Sequence, residues 1–377
     1  MITDEREALL EQLDDLDSRE HAHKDEAERL AVERNRQAAS DLTLEIWGED
    51  CVSGMAERLG PESIDLTVTS IPFSNLFAYS GKNEDIGNSW DHGTDSRDTH
   101  FGLHLRFWAE QVLRVTRPGC ILAIHIQQLL TTKVQHGHMG RRDFRGAVID
   151  VIAASGFVWT GEIVIPKNPQ AMAQRQKLHS LLFVTAMRDG RKLAPAVNDY
   201  ILIFQKPGDG RPVRCLYDAE RNPTGWLTRR EWIRDASGLW TDIRETDVLE
   251  GWKGVRDEDD ERHVCPLQLE VIRRLVRLYS APGDVVLDPF SGIGSTGFVA
   301  LEQGRHYRGF ELKESYWRQS LKNCQKARQI KTQPSSMTPS LFDALDAAPP
   351  ACGTADKDRS GSPDDSPLPV PGTLERV

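Results

Sequence analysis

The sequence predicts an α/β protein: a mostly parallel sheet with helices on both faces. Three observations predict it. Short apolar runs rich in β-branched residues alternate with helical stretches along most of the 377 residues. Residues 285–311 compress strand, glycine turn, helix, strand and acid into one unit. Residues 65–73, DLTVTSIPF, form a second buried strand that runs into a proline turn.

The elements follow in order. Residues 1–40 hold 12 Asp and Glu against 6 Lys and Arg. They read as one long polar helix over 4–37. Leu9, Leu13, Leu16, Ala27 and Leu30 give it only a thin apolar stripe, which suits a peripheral element without chemistry. Residues 42–47 are a strand leading to Gly48-Glu49-Asp50-Cys51, and 51–59 a helix. Residues 64–69 are a strand. A helix spans 103–116 with Pro118-Gly119 as its stop, and a hydrophobic strand covers 120–126. Helix 144–155 ends at Gly156, and 157–165 and 200–205 are strands. Residues 206–262 break the alternation. Trp226, Trp232, Trp240 and Trp252 stand there among many charges with no clean period, as in an inserted recognition segment. Helix 267–279 then delivers the chain to strand 285–287, helix 298–303 stops at Gly304, and strand 307–310 ends in Glu311. After Lys331, Pro, Ser, Asp and Gly dominate, so 331–377 reads as a disordered tail.

Composition narrows the class. No run approaches a membrane span, and the charged start is unlike a signal peptide, which implies a cytoplasmic chain. The six cysteines are scattered without a C-x-x-C, so no zinc site is expected. His136 and His138 belong in a solvent loop rather than on a metal. The net charge of −10 argues against nucleic acid, but its distribution reverses that. Residues 133–234 hold 17 Lys and Arg against 9 Asp and Glu, a basic middle suited to phosphates, with Arg229, Arg230 and Arg234 as candidate contacts.

Two constellations carry chemistry. In the first, Gly292-Ile293-Gly294-Ser295-Thr296-Gly297 lets the backbone approach a ligand, and Glu311 can hold ribose hydroxyls. The G-x-G-x-x-G spacing alone fits a nicotinamide or flavin enzyme. Asp288-Pro289-Phe290 discriminates. A dinucleotide site seats pyrophosphate on the helix N-terminus directly after the strand, and an acid there would repel it. The acid suits a cation without phosphates, such as the sulfonium and amino groups of S-adenosylmethionine (AdoMet). In the second, Ser70 Oγ and the Ile71 carbonyl, held extended by Pro72, offer two acceptors beside the ring of Phe73. Two acceptors can bind the hydrogens of an exocyclic base amine and localise its lone pair, while Phe73 stacks on a base swung out of the duplex.

D-P-F-x-G-x-G-x-T at 288–296 resembles the AdoMet loop of the DNA amino-methyltransferases, and Ser70-Ile71-Pro72-Phe73 their D/S/N-P-P-Y/F motif, with Ile71 at the first proline. Gly48–Cys51 is similar to the family's G-D-C stretch, whose acid, here Asp50, lies near the adenine. His263–Gln268 is similar to the segment that lines the methionine end, with His263 and Pro266 matching. Residues 156–169 and 198–206 resemble two further family strands. The catalytic motif precedes the AdoMet loop, the permuted order of the β group.

The resemblance implies a Rossmann-like fold that transfers methyl from AdoMet to cytosine N4 or adenine N6; serine at position 70 leans slightly toward cytosine. Its organisation would be the helix 1–40, a catalytic half 41–205, a target-recognition segment 206–262, an AdoMet half 263–330 and the tail. It assigns catalysis to Ser70, Ile71, Pro72 and Phe73. Cofactor binding falls to Asp50, His263, Asp288, Pro289, Phe290, Gly292, Gly294, Thr296 and Glu311. Double-stranded DNA is the implied partner; a homodimer and a partner endonuclease are compatible with it. The alternatives are a catalytically silent DNA-binding relative, raised by Ile71, and a nicotinamide oxidoreductase.

Overall fold

The computed structural model describes residues 2–38, 42–74, 83–88, 99–131, 137–138, 140–175, 182–250 and 266–332. The strands are β1 (Leu44–Trp47), β2 (Ile64–Ser70), β3 (Thr116–Gln127), β4 (Leu129–Thr131), β5 (Gly140–Arg142), β6 (Val158–Ile165), β7 (Asp199–Gln205), β8 (Val285–Asp288) and β9 (His306–Phe310). The helices are α1 (Ile2–Ala38), α2 (Cys51–Arg58), α3 (His100–Val115), α4 (Phe144–Ala154), α5 (Pro169–Arg175), α6 (Phe183–Arg188), α7 (Arg229–Asp235), α8 (Leu269–Tyr279), α9 (Ser295–Glu302) and α10 (Glu314–Thr332).

Seven strands form one sheet in the order β1-β9-β8-β2-β3-β7-β6. The first five are mutually parallel, and β7 runs antiparallel to both β3 and β6. A mostly parallel sheet must be covered on both faces, and the buried residues divide accordingly. One apolar cluster joins Leu66, Val68 and Ala123 to α8, α9 and α10. The other joins Leu122, Ile124 and Ile126 to α2, α3 and α4. The central strand β2 is buried along its length up to Ser70.

Several boundaries differ from the sequence reading. α3 starts earlier because Thr99 caps it, accepting from Gly102 N–H at 3.1 Å. It also ends at Val115, without help from Pro118-Gly119. That pair lies inside β3, in a bulge where the register on β2 jumps from Ile64↔Thr116 to Leu66↔Ile121. The bulge absorbs a proline that could not serve a regular ladder. α9 opens at Ser295, so Thr296 belongs to its first turn. α10 and the β4–β5 hairpin had no sequence expectation. His138 is exposed in a turn, as expected, while His136, His263 and the tail beyond Thr332 lie outside the described residues.

Segment 206–250 has no layer of its own. Trp240, 1% exposed, packs into the core over β6 and β7. Arg274 of α8 holds Asp242 through two bonds, at 3.0 and 2.6 Å. α7 carries a capping box: Glu231 N–H donates to Thr228 Oγ1 at 3.2 Å, and Thr228 N–H to Glu231 Oε2 at 2.9 Å. α1 lies against this helix, with Lys24 paired to Glu231 and Arg230 to Asp17 at 3.1 Å. Leu9, Leu13 and Leu16 remain more than half exposed, so that stretch of the stripe is solvated.

Candidate active site

The parallel strands β1, β9, β8 and β2 end on one rim of the sheet, and the residues after each end border one cavity. They include Asp50 after β1, Glu311 after β9, Asp288–Ile293 at β8, and Ser70 and Pro72 after β2. This is where a parallel α/β sheet offers a site: strand ends converge there and loops leave the rim free.

The β8 turn is built by its glycines. Gly292 has φ +53° and Gly294 φ +89°, a left-handed geometry that only glycine adopts without strain. With this turn, Gly292 N–H donates to Glu311 Oε2 at 2.8 Å, and Lys313 N–H donates to Oε1 at 2.8 Å. Each carboxylate oxygen keeps a lone pair for a ribose hydroxyl. Burial pushes the Glu311 carboxyl up to about 7, against those two N–H bonds that favour its charge.

Asp288 sits deeper, 4% exposed. Its Oδ1 accepts from Thr69 Oγ1 at 2.7 Å and from Phe290 N–H at 3.0 Å. Burial raises its carboxyl to about 6. Thr69 had not been singled out in the sequence; it ties the turn of β8 to the end of β2. Thr296 Oγ1, in the first turn of α9, reaches the Val68 carbonyl at 3.4 Å and ties that helix to β2.

Asp50 borders the cavity as the N-cap of α2, accepting from Ser53 N–H and Oγ–H, both at 2.8 Å. Pro289 and Phe290 border it too, and Phe290 stacks on Trp108 at 5.7 Å between ring centroids. Gly294 caps α9 behind the wall. Glu49, Asp50, Glu84, Asp85, Asp288 and Glu311 all border the cavity, with Lys313 as the basic residue among the described ones. Such a wall repels a pyrophosphate and attracts a cation, which fits the sulfonium and ammonium of AdoMet and not a nicotinamide dinucleotide.

At the end of β2, Ser70 Oγ lies 2.9 Å from His125 Nδ1. Ile71 is 2% exposed, its side chain in the α2–α4 cluster. The Phe73 ring packs on His125 at 5.8 Å and on Phe144 at 6.5 Å, beside the cofactor cavity rather than in its wall. Ser74, fully buried at φ +53°, closes a tight turn through its N–H to the Pro72 carbonyl at 3.1 Å. A non-glycine residue held there is strained, as active-site turns often are. Neither His125 nor Asp199 was singled out in the sequence, although Asp199 falls within the family-like stretch 198–206. The signal that could have found them is a polar residue in an apolar strand row.

The arginines expected to grip phosphates are partly committed. Arg230 faces Asp17, and Arg234 Nε donates to the fully buried Asp235 at 2.7 Å. The Arg229 side chain is exposed.

Comparison with known proteins gives concordant findings. The family model described as DNA methylase, of the N6/N4 methyltransferase type, matches residues 64–322. The type II methyltransferase M.MjaI of Methanocaldococcus jannaschii is 26% identical over 282 residues, 69% of this chain and 84% of that protein. The type II methyltransferase M.MthZI of Methanothermobacter thermautotrophicus is 32% identical over 124 residues, and the match spans 32% of each chain. A DNA modification methylase of Thermus thermophilus, named with the qualifier "putative" and solved with S-adenosyl-L-methionine, shares the fold at 23% identity and a TM-score of 0.53. That match covers 75% of this chain and 93% of the other.

Proposed function

The chain belongs to the DNA methylase family, and from that premise we propose that it methylates an exocyclic amine, cytosine N4 or adenine N6, of a base flipped out of double-stranded DNA. The observation that carries this reading is the junction of two motifs: Ser70 and Pro72 border the same acid-lined cavity as Asp288 and Glu311. When bound, AdoMet supplies an electrophilic methyl group on a sulfonium.

This chain's residues do the rest. Asp288 and the neighbouring acids hold the cationic end, and Glu311 holds the ribose. Ser70 Oγ and the Ile71 carbonyl accept the two amine hydrogens, turning the nitrogen lone pair out of conjugation. Phe73 stacks on the flipped base and fixes the amine in line with the methyl group. Segment 206–262, with exposed Arg229, reads the DNA around the target. No described helix is long and apolar enough to cross a membrane, consistent with a chain that works on DNA.

The test is mass spectrometry of nucleosides from a methylation-deficient host expressing the protein. N4-methylcytosine or N6-methyladenine should appear, and which one identifies the target. Absence of both, with AdoMet binding intact by calorimetry, would leave a DNA-binding protein that does not methylate.

A further inference from the structure

Ser70 ends a row of polar side chains that the alternation of the sheet makes conspicuous. On the α8–α10 face, Leu66 and Val68 precede Ser70 along β2, and Ala123 precedes His125 along β3. On β7, Ile203 and Ile201 share that face, and Asp199 takes the next position. On β6, Ile163 and Ile165 share it, and Lys167 follows. Each strand switches from apolar to polar at the same level, so four polar groups abut across four adjacent strands.

The contacts are continuous. Ser70 and His125 are register partners, with Oγ 2.9 Å from Nδ1. His125 Nε2 lies 3.3 Å from Asp199 Oδ2 and has no aligned hydrogen-bond partner. Lys167 Nζ meets the same oxygen at 2.5 Å, and Gln127 Nε2 donates to Oδ1 at 2.8 Å. His125, Asp199 and Lys167 are each no more than 9% exposed. Burying three ionisable groups beside an apolar core is costly unless they are paired, and here Asp199 pairs with both His125 and Lys167. Although burial opposes its charge, Asp199 is held below the ordinary carboxylate range by His125 and Lys167.

We propose that His125 and Asp199 form a proton relay behind Ser70, through which the target amine sheds its proton. This rests on the methyltransferase reading and adds to it. The Asp199 carboxylate selects the tautomer with hydrogen on Nε2, which leaves Nδ1 to accept the Ser70 O–H. Ser70 Oγ then turns lone pairs toward the amine, which is what an acceptor there requires. As the amine nitrogen bonds the methyl carbon, the carbon–sulfur electron pair returns to the sulfonium donor and the nitrogen becomes cationic. One N–H bond breaks, its electron pair staying on nitrogen. The proton passes to Ser70 Oγ, the Ser70 proton passes to His125 Nδ1, and the imidazolium faces Asp199 until it releases a proton to water. Lys167 balances Asp199 while the ring is neutral. Ser70 is the residue touching substrate; His125 and Asp199 act through it.

Two measurements test the relay. The first uses the ligand-free protein. Imidazole nitrogen NMR should show His125, assigned by its loss in His125→Gln, with hydrogen on Nε2, and Ser70→Ala should move the Nδ1 resonance. Hydrogen on Nδ1 instead, donated to Ser70, would overturn the relay. The second is single-turnover transfer of tritiated methyl from AdoMet to unmethylated genomic DNA. His125→Gln and Asp199→Asn should each slow it about a hundredfold or more, the range of acid–base assistance, with AdoMet affinity unchanged by calorimetry. In a Ser70→Ala background, His125→Gln should cost nothing further, because the two act as one unit. Wild-type rates in both single variants, or an additive loss in the double variant, would refute the relay while leaving the methyltransferase reading intact. A wild type that transfers no methyl overturns both.

Discussion

Asp288 and Glu311 hold their protons more tightly folded than unfolded, since burial lifts the first to about 6 and the second to about 7. The sign follows: for such carboxyls, stability falls as pH rises from the ordinary carboxylate range through those values. The ligand-free protein should therefore melt at a lower temperature at pH 8 than at pH 5.5 on account of these two groups. Asp288→Asn with Glu311→Gln should flatten that part of the melting profile. Affinity for AdoMet should run the other way, rising with pH as Asp288 ionises to meet the cation and Glu311 ionises to accept from the ribose hydroxyls; equal calorimetric affinity at pH 5.5 and 8 would contradict the assignment. Thr69→Val, which removes the 2.7 Å bond to Asp288, should raise the Asp288 pKa further and weaken AdoMet binding without unfolding the chain. At Ile71, Ile71→Pro keeps the backbone carbonyl and restores the family's double proline, so methyl transfer per folded molecule should persist or rise. The structure adds a cost in stability: the Ile71 side chain is 2% exposed and fills the core. The variant should lose about 1–3 kcal/mol of stability on denaturant titration, as expected when a buried aliphatic chain is cut back.

At the scale of elements, α9 is held on β9 by the absence of a side chain. A Cβ at Gly297 would meet Tyr307 at 2.5 Å and Cys324 Sγ at 2.6 Å. Gly297→Ala should push α9 off the sheet, lowering both the melting temperature and AdoMet affinity, because Thr296 and the glycine turn move with it. α7 depends on its capping box and on α1. Glu231→Ala removes both the box and the partner of Lys24, and should cost about 1–2 kcal/mol, the usual worth of a cap, with methyl transfer per folded molecule unchanged. Wild-type stability in that variant would mean that α1 docks by other contacts.

For the whole molecule, the sheet brings a cofactor cavity and a target-base site to one rim although 218 residues separate Ser70 from Asp288 in the chain. Phe73→Ala should lose base stacking worth about 1–3 kcal/mol and cut methyl transfer while AdoMet affinity holds; full transfer in that variant would place the base elsewhere. Binding to DNA should weaken steeply with salt as phosphate contacts release counterions. Charge reversal tests this at Arg229, whose side chain is exposed, and not at Arg234, which neutralises buried Asp235.

The sequence by itself determined what is local. Alternating apolar runs predicted the strands, the glycine spacing predicted the turn after β8, and the acid of Asp288-Pro289-Phe290 predicted a cation rather than a pyrophosphate. Those signals act within a few residues of backbone, so a linear reading captures them. Other assignments waited on strand order. Thr69 meets Asp288 across 219 residues, and Ser70 meets His125 across 55; only the parallel pairing of β2 with β8 and β3 sets those partners. Pro118-Gly119 looked like a helix stop because a bulge cannot be seen without the partner strand. In the sequence Asp199 and Lys167 merely flank the strands read at 200–205 and 157–165. They join the Ser70 row only because β6, β7, β3 and β2 lie side by side, and which strands become neighbours is decided by crossover packing and the burial of both sheet faces, not by any residue's own surroundings in the chain.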